Sequence, residues 1–303
     1  MPTVTAPTRI KLQNILFATD FSPSAQSALS HALDLARRYG AVLYTVNVLP
    51  HTPFVEAAEP DPEQTTLLAN RQLTALMGSA PWKDVEHREL IEQGEVSEVL
   101  SKLVRKHGID LIVIGTGGRK GLGKLLLGSV AEEVFRNAEC PVLTMGPHAT
   151  RWNIDGNLQH ILFATDFGPE SLHGLPYAIS LAEENRARLT LVHVAPEPGV
   201  ALPEPEPGTM PMVDPSEVVA STEKQLRALI PEGTQLWHEP EYIVQFGRAA
   251  ETIVRIAAQT ADMIVLGVKP PAALTKHLGE GVAYTVACEA ACPVLSVGAR
   301  YHV

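Results

Sequence analysis

Cysteine is scarce in this chain: three among 303 residues, at Cys140, Cys288 and Cys292. So few thiols exclude a disulfide framework and make the cytoplasm the default expectation. No apolar run approaches the roughly 20 residues that a membrane-spanning helix needs. The opening, Met1 to Leu16, lacks the basic-then-apolar order of a secretory signal. Positive charge is also short, because 24 Lys and Arg against 34 Asp and Glu leave a formal charge of −10. That balance argues against nonspecific binding to nucleic acid or an anionic membrane, both of which need concentrated cations. Metal-site spacing is missing, since the 11 histidines are scattered without an H-E-x-x-H or comparable pattern. There is no C-x-x-C pair, and the cysteines read as small buried hydrophobes. Trp82, Trp152 and Trp237 stand outside any basic stretch of sequence, so base stacking on them is not expected. What remains is the composition of a soluble globular protein, 45% hydrophobic and 19% charged, with length enough for two ordinary domains.

Those two domains are copies of each other. Asn14-Ile15-Leu16-Phe17-Ala18-Thr19-Asp20-Phe21 returns as His160-Ile161-Leu162-Phe163-Ala164-Thr165-Asp166-Phe167, an offset of 146. Cys140-Pro141-Val142-Leu143 returns as Cys292-Pro293-Val294-Leu295, an offset of 152. A period near 150 is too long for a solenoid unit and marks a duplicated domain, residues 1–150 and 151–303, with the boundary in Pro147 to Asn157. The six extra residues of the second copy are expected in the proline-rich stretch Pro196 to Pro215.

Each copy alternates short apolar strands with helical patterns. In the first, Ile15 to Ala18 is a strand, and Ser22-Pro23 reads as a helix cap followed by proline at the first helical position. Ala25, Ala28, Leu29, Ala32, Leu33 and Ala36 recur at helical spacing until Gly40. Val42 to Val48, Val85 to Ile91, Leu111 to Ile114 and Val142 to Met145 are the further strands, separated by helices around Leu67 to Met77, Val96 to Lys106 and Val130 to Ala138. Strand and helix in alternation imply parallel crossovers, hence an α/β fold of two tandem doubly wound parallel sheets. The duplication suggests that the copies pack as a pseudo-dimer through their last strands, around Val142 and Val294. Ligands of such sheets bind beyond the carboxyl ends of the strands, which directs attention to Asp20, to the segment after Val48 and to the loop after Ile114.

That loop, Gly115 to Ser129, holds six glycines with Arg119, Lys120 and Lys124. Glycines let backbone N–H groups surround phosphate oxygens, and Ser129 with Glu132 forms a capping box on the next helix, whose N-terminus favours an anion. A flexible glycine turn with solvated charges is the blander alternative. Gly118 to Lys124 has P-loop spacing, but Leu125 stands where Ser or Thr must hold magnesium. The dinucleotide pattern G-x-G-x-x-G fails because Lys120 occupies the third glycine position.

The pattern that is met is G-x2-G-x9-G-[S/T], as Gly115, Gly118, Gly128 and Ser129. With the Ala-Thr-Asp strand end and the closing Cys-Pro-Val-Leu, the chain resembles the universal stress protein family over essentially its whole length, once per half. The resemblance implies adenine-nucleotide alpha-hydrolase-like domains and ATP bound in the first half. It places Ala18, Thr19 and Asp20 on the nucleoside side, with Asp20 near the ribose or a nucleotide-bound Mg ion. Val48 would meet adenine through its backbone, and Gly115, Gly118, Gly128, Ser129 and Val130 would hold ribose and phosphates. Asp20 reads equally well as a turn acid at a helix entry. The implied role is a cytoplasmic, nucleotide-dependent stress sensor or interaction module with slow or no hydrolysis. A metal-dependent ATP hydrolase and a structural pseudo-dimer without nucleotide are the alternatives. Homodimerisation, the protein partner and the inducing stress stay open.

The second half departs from the pattern. Pro270 falls at the Gly118 position, Glu280 at Gly128 and Gly281 at Ser129. Proline removes a donor and Glu280 sets a carboxylate where phosphate would sit, so ATP is not expected there. Pro176 is expected to interrupt the first helix of this half with a kink. Charge divides the same way: net −2 for residues 1–150 and −8 for 151–303.

Overall fold

In the computed structural model the described residues are 10–49, 62–79, 82–116, 131, 134–135, 138–146, 148–149, 158–197, 214–268 and 281–298. The first half supplies β1 (Asn14–Ala18), α1 (Pro23–Tyr39), β2 (Val42–Leu49), α2 (Pro62–Ser79), β3 (His87–Gln93), α3 (Val96–His107), β4 (Leu111–Gly115) and β5 (Val142–Met145). The second supplies β6 (His160–Ala164), α4 (Pro169–Leu172), α5 (Leu175–Asn185), β7 (Arg188–Ala195), α6 (Pro215–Arg227), β8 (Glu241–Phe246), α7 (Ala249–Thr260), β9 (Met263–Val268), α8 (Val282–Glu289) and β10 (Val294–Gly298).

The strands form one ten-stranded sheet in the order β3-β2-β1-β4-β5-β10-β9-β6-β7-β8. Pairing is parallel within each half, as in Ala18↔Val46 and Ala18↔Ile114. The halves meet where β10 pairs antiparallel with β5, Leu295 opposite Leu143. Joining through last strands is the arrangement the duplication implies. It closes two sheet edges that would otherwise offer unpaired backbone to other chains.

Strand alternation sends side chains to two separate cores. Ile15, Phe17, Leu43 and Leu143 pack beneath α1, with Phe163 and Leu189 as the residues corresponding to Phe17 and Leu43 beneath α5. Leu16, Val46, Ile112 and Val142 face the other way, against Leu100 and Leu103 of α3 and Ile253 of α7. Both faces being covered explains why these strands read as continuous apolar runs.

The helix signals act as the sequence suggests. Ser22 caps α1 by accepting from Ala25 N, Pro23 occupies the first turn, and Gly40 ends the helix at φ 63°. The interruption expected at Pro176 is present, as a full break and not a kink. The helix breaks at His173-Gly174 into α4 and α5, and Pro176 sits in the first turn of α5, where its missing N–H is no loss. Gly174 at the break lies against β9: a Cβ there would stand 3.2 Å from Gly267 N.

The extra length also resolves in finer detail. The offset of 146 holds to the ends of β2 and β7, but Tyr44 pairs with Arg88 while Thr190 pairs with Glu241, an offset of 153 between Arg88 and Glu241. It falls to 152 at β4 and β9. The first half turns from α3 into β4 through a left-handed Gly108 that the shorter turn at Ala261 lacks.

Candidate functional site

Strand order reverses direction on either side of β1, which pairs β2 on one side and β4 on the other. α1, which follows β1, packs in one core, and Ala131, Val134 and Phe135, which follow β4 in sequence, pack in the other, the arrangement that opens a crevice in doubly wound sheets. Ala18 is the last residue of β1, half-buried between Val46 and Ile114, and the chain then turns through Thr19, Asp20 and Phe21. Thr19 N donates to Val46 O at 2.9 Å as the last ladder bond. Asn47 Nδ2 donates to Thr19 O at 2.8 Å, taking the carbonyl that Val48 N–H would reach if the ladder continued. Val48 therefore directs its peptide N–H and C=O toward the gap where β1 has turned away. The Asn47 side chain is buried, and its Oδ1 has no hydrogen-bond partner among the described residues.

The turn itself is held in an uncommon conformation. Phe21 adopts φ 62°, costly for a bulky side chain. Its N–H is fixed by Thr19 Oγ1 at 3.0 Å. Asp20 is exposed, and its Oδ1 accepts from Ser22 N at 2.9 Å, so it does serve as the turn acid at the entry of α1. Its Oδ2 has no partner among the described residues, and a carboxylate oxygen is thus presented to solvent at the crevice.

Gly115 ends β4 and has a packing reason for lacking a side chain. A Cβ there would lie 2.4 Å from the backbone C and O of Ser24, in the first turn of α1. Gly267 of the second half is under the same constraint, 2.1 Å from Glu170 O, although its loop has lost the glycine pattern. Thr116 then donates through both N (2.9 Å) and Oγ1 (3.0 Å) to Met145 O, anchoring the start of the loop on β5. Gly118, Gly128, Ser129 and Val130, together with Pro270 and Glu280 of the other half, lie outside the described residues.

The second half repeats the strand end with one exchange. Thr165 N donates to Val192 O at 3.0 Å and Phe167 again has φ 62°. Here His193, not asparagine, reaches the carbonyl: its Nδ1 donates to Thr165 O at 2.9 Å, and its ring lies 4.7 Å from that of Phe167. The imidazole therefore substitutes for the Asn47 amide in ending the ladder.

Residues that sequence reasoning passed over thus shape the crevice: Asn47, Thr116 and the strained Phe21. Asn47 had a signal, an amide within the apolar run Val42 to Leu49. Another pair holds the opposite end of β1 and β6. Asp110 Oδ2 accepts from Gln13 N (2.7 Å) and Asn14 N (2.9 Å), and Asp262 Oδ2 accepts from Gln159 N (2.8 Å) and His160 N (2.9 Å). The three cysteines are buried, and burial pushes the Cys140 thiol well above its ordinary range, which makes it unreactive. Among the described residues no cluster of His, Cys, Asp and Glu suits a metal ion, and no helix is long and apolar enough to cross a membrane.

Known proteins bear on this geometry at two levels. In structure, a universal stress protein from Archaeoglobus fulgidus superposes with a TM-score of 0.70, covering 95% of this chain and 99% of that one at 19% identity. A putative universal stress protein from Pseudomonas aeruginosa follows at 0.58, covering 95% and 93% at 17% identity. At such identities the likeness is one of fold. In sequence, a universal stress protein of Methanocaldococcus jannaschii is 36% identical over 139 residues, 44% of this chain and 81% of that protein. Universal stress protein A homolog 1 of Coxiella burnetii is 35% identical over 140 residues, 44% and 95% respectively. The profile of the universal stress protein family matches residues 11–145 and again 157–298. With two matches that together span most of its length, and a parallel half-sheet behind each, the chain belongs to the universal stress protein family as a tandem member.

Proposed function

We propose that the first half binds one ATP at the carboxyl ends of β1, β2 and β4, and that the protein works as a nucleotide-dependent sensor or interaction module in the cytoplasmic stress response. The observation that carries the reading is the free peptide edge of Val48. Asn47 takes the Thr19 carbonyl, so Val48 keeps a donor and an acceptor side by side at the crevice. That pairing suits the edge of a purine. Asp20 Oδ2 is placed for a ribose hydroxyl or a nucleotide-bound Mg ion. The G-x2-G-x9-G-S spacing from Gly115 to Ser129 suits the phosphates. ATP would bring its own charge and Mg, and the chain's part is to hold and orient it.

Fast hydrolysis does not fit this reading. Among the described residues of the crevice the titratable side chain is Asp20, and its Oδ1 is already committed to the turn. Phosphate release is therefore expected below about one turnover per second, the low end of ordinary enzymes. The second half, with Pro270 and Glu280 in its loop, is proposed to stay free of ATP. Mass spectrometry of the nucleotide released by denaturing freshly purified protein tests the reading. ATP or ADP at near one per chain is the expected result, and protein that carries none and takes up none on incubation with Mg-ATP would refute it.

A further inference from the structure

Arg186 ends α5 in the left-handed region, φ 54° and ψ 33°, at the position where Gly40 ends α1 with φ 63° and ψ 32°. Glycine adopts this conformation freely, whereas a side chain there costs roughly 1 kcal/mol. Helix termination alone therefore does not explain the arginine. Its guanidinium lies 4.2 Å from the ring centre of Trp237, a tryptophan that is 59% exposed. The segment carrying Trp237 is fastened to α5, because Gln235 N donates to Glu183 Oε1 at 3.1 Å. Beside this stack is a cleft of about 800 Å³ at the amino-terminal edge of β6 and β7, lined by Arg186, Arg188, His160 and His238 among others. Trp237 and the arginines are some 50 residues apart in sequence, so the fold brings together an indole and two guanidinium groups that the linear order separates.

The two carboxylates of the cleft, Glu184 and Asp262, each accept hydrogen bonds from neutral protein donors and keep their charge. Glu184 accepts from Ser180 Oγ at 2.9 Å and from Tyr39 Oη, and Asp262 accepts the two N–H groups that open β6. Neither Arg186 nor Arg188 has a carboxylate partner among the described residues. A positive charge at the end of α5 is what the helix dipole favours. The dipole does not call for a second arginine, nor for an indole that holds the first in place.

We propose that this cleft is a binding site for a small phosphate-bearing ligand, gripped by Arg186 and Arg188 and separate from the crevice at Asp20. Its volume is that of a small-molecule site. The stack on Trp237 pre-orients one guanidinium, which lowers the entropy lost on binding. The half with the larger negative charge thus keeps a local place for an anion.

Titration calorimetry of the full chain with inorganic pyrophosphate at low salt tests the proposal, with the glycine loop disabled by G118P and G128E so that one site is read. One binding event is expected, weakened about tenfold by Arg186→Gly and again by Arg188→Gln, each removing one charge-assisted hydrogen bond. In the wild-type chain, pyrophosphate is expected to shift the NMR signal of the Trp237 indole N–H, a readout independent of the loop variant. Arg186→Gly installs the residue that the first half uses, so its melting temperature is expected to stay within about two degrees of the parent. Loss of thermal stability with unchanged pyrophosphate affinity would make Arg186 purely structural and overturn the proposal. So would the absence of any pyrophosphate binding with the Trp237 signal unmoved.

Discussion

Replacing Gly115 with alanine probes the contact that joins the fold to the crevice. The new Cβ would stand 2.4 Å from Ser24 C and O and 2.6 Å from Ala25 N, where ordinary contact begins near 3.4 Å. These are backbone atoms of the first turn of α1, so no side-chain rotation relieves the clash, and α1 must retreat by about 1 Å. Overpacking of this kind costs about 1–3 kcal/mol, and the backbone nature of the contact argues for the upper half of that range. For a chain of this size the expected fall in melting temperature is about 3–5 °C. The same retreat drags Ser22 and with it the Asp20 turn, so Gly115→Ala is expected to weaken ATP binding as well. Gly267→Ala meets Glu170 O at 2.1 Å and Ser171 Cα at 2.4 Å. It is expected to destabilise equally while leaving ATP affinity unchanged, because its crevice is the one without the glycine loop. Thermal melts and calorimetric titration of both variants check this. A Gly115→Ala protein that melts within about 1 °C of the parent would refute the packing argument, and an effect of Gly267→Ala on ATP would refute the assignment to the first half.

Other consequences follow from particular bonds. Asn47→Leu leaves the Thr19 carbonyl without its donor and should cost about 1–3 kcal/mol in denaturant unfolding, whereas Asn47→His, which copies His193, should retain most of that stability. Asp110→Ala and Asp262→Ala each strip two backbone donors of a charged acceptor and should each destabilise by about 2–3 kcal/mol; an effect below about 0.5 kcal/mol would show that water replaces the carboxylate freely. Burial holds His31 and His160 below their ordinary pKa of 6.5. Below pH 6.5 the unfolded chain therefore takes up protons that the native state refuses, and stability should fall from that pH down through the native pKa values. Melting temperatures that stay flat between pH 7 and about pH 5 would contradict that direction. Tyr39 shifts the other way, raised by burial and then by its hydrogen bond to Glu184, so above pH 10 the unfolded chain gives up a proton that the native state keeps, and stability should fall. Tyr39→Phe should remove that alkaline component.

The alternation of strand and helix, the joining of halves through Val142 and Val294, and the capping of α1 by Ser22 and Gly40 were legible because each rests on local chemistry. Periodicity, cap residues and a repeated motif sit within a few residues of one another. What was not legible depends on contacts across the fold. Asn47 looks like one polar residue in a strand until the end of β1 is placed beside it. Gly115 reads as a phosphate-loop glycine, and only the path of α1 over β4 gives it a packing reason too. Pro176 interrupts the helix as expected, but that the interruption is a full break at His173-Gly174, with Gly174 packed against β9, shows only in the fold. Trp237 seemed remote from basic residues because Arg186 and Arg188 lie on the other side of β7 and the proline-rich stretch. The turn-acid reading of Asp20 is borne out by one oxygen, while its other oxygen has no partner among the described residues.

The central claim is one nucleotide per chain, held by the first half. Calorimetric titration of nucleotide-free protein with Mg-ATP measures it directly, alongside a chain carrying Gly118→Pro and Gly128→Glu, the residues of the second-half loop. The expected result is a stoichiometry of one for the parent and none for the variant, with the variant still folded by circular dichroism. A stoichiometry of two, an unchanged affinity in the variant, or no heat at millimolar ATP would contradict it.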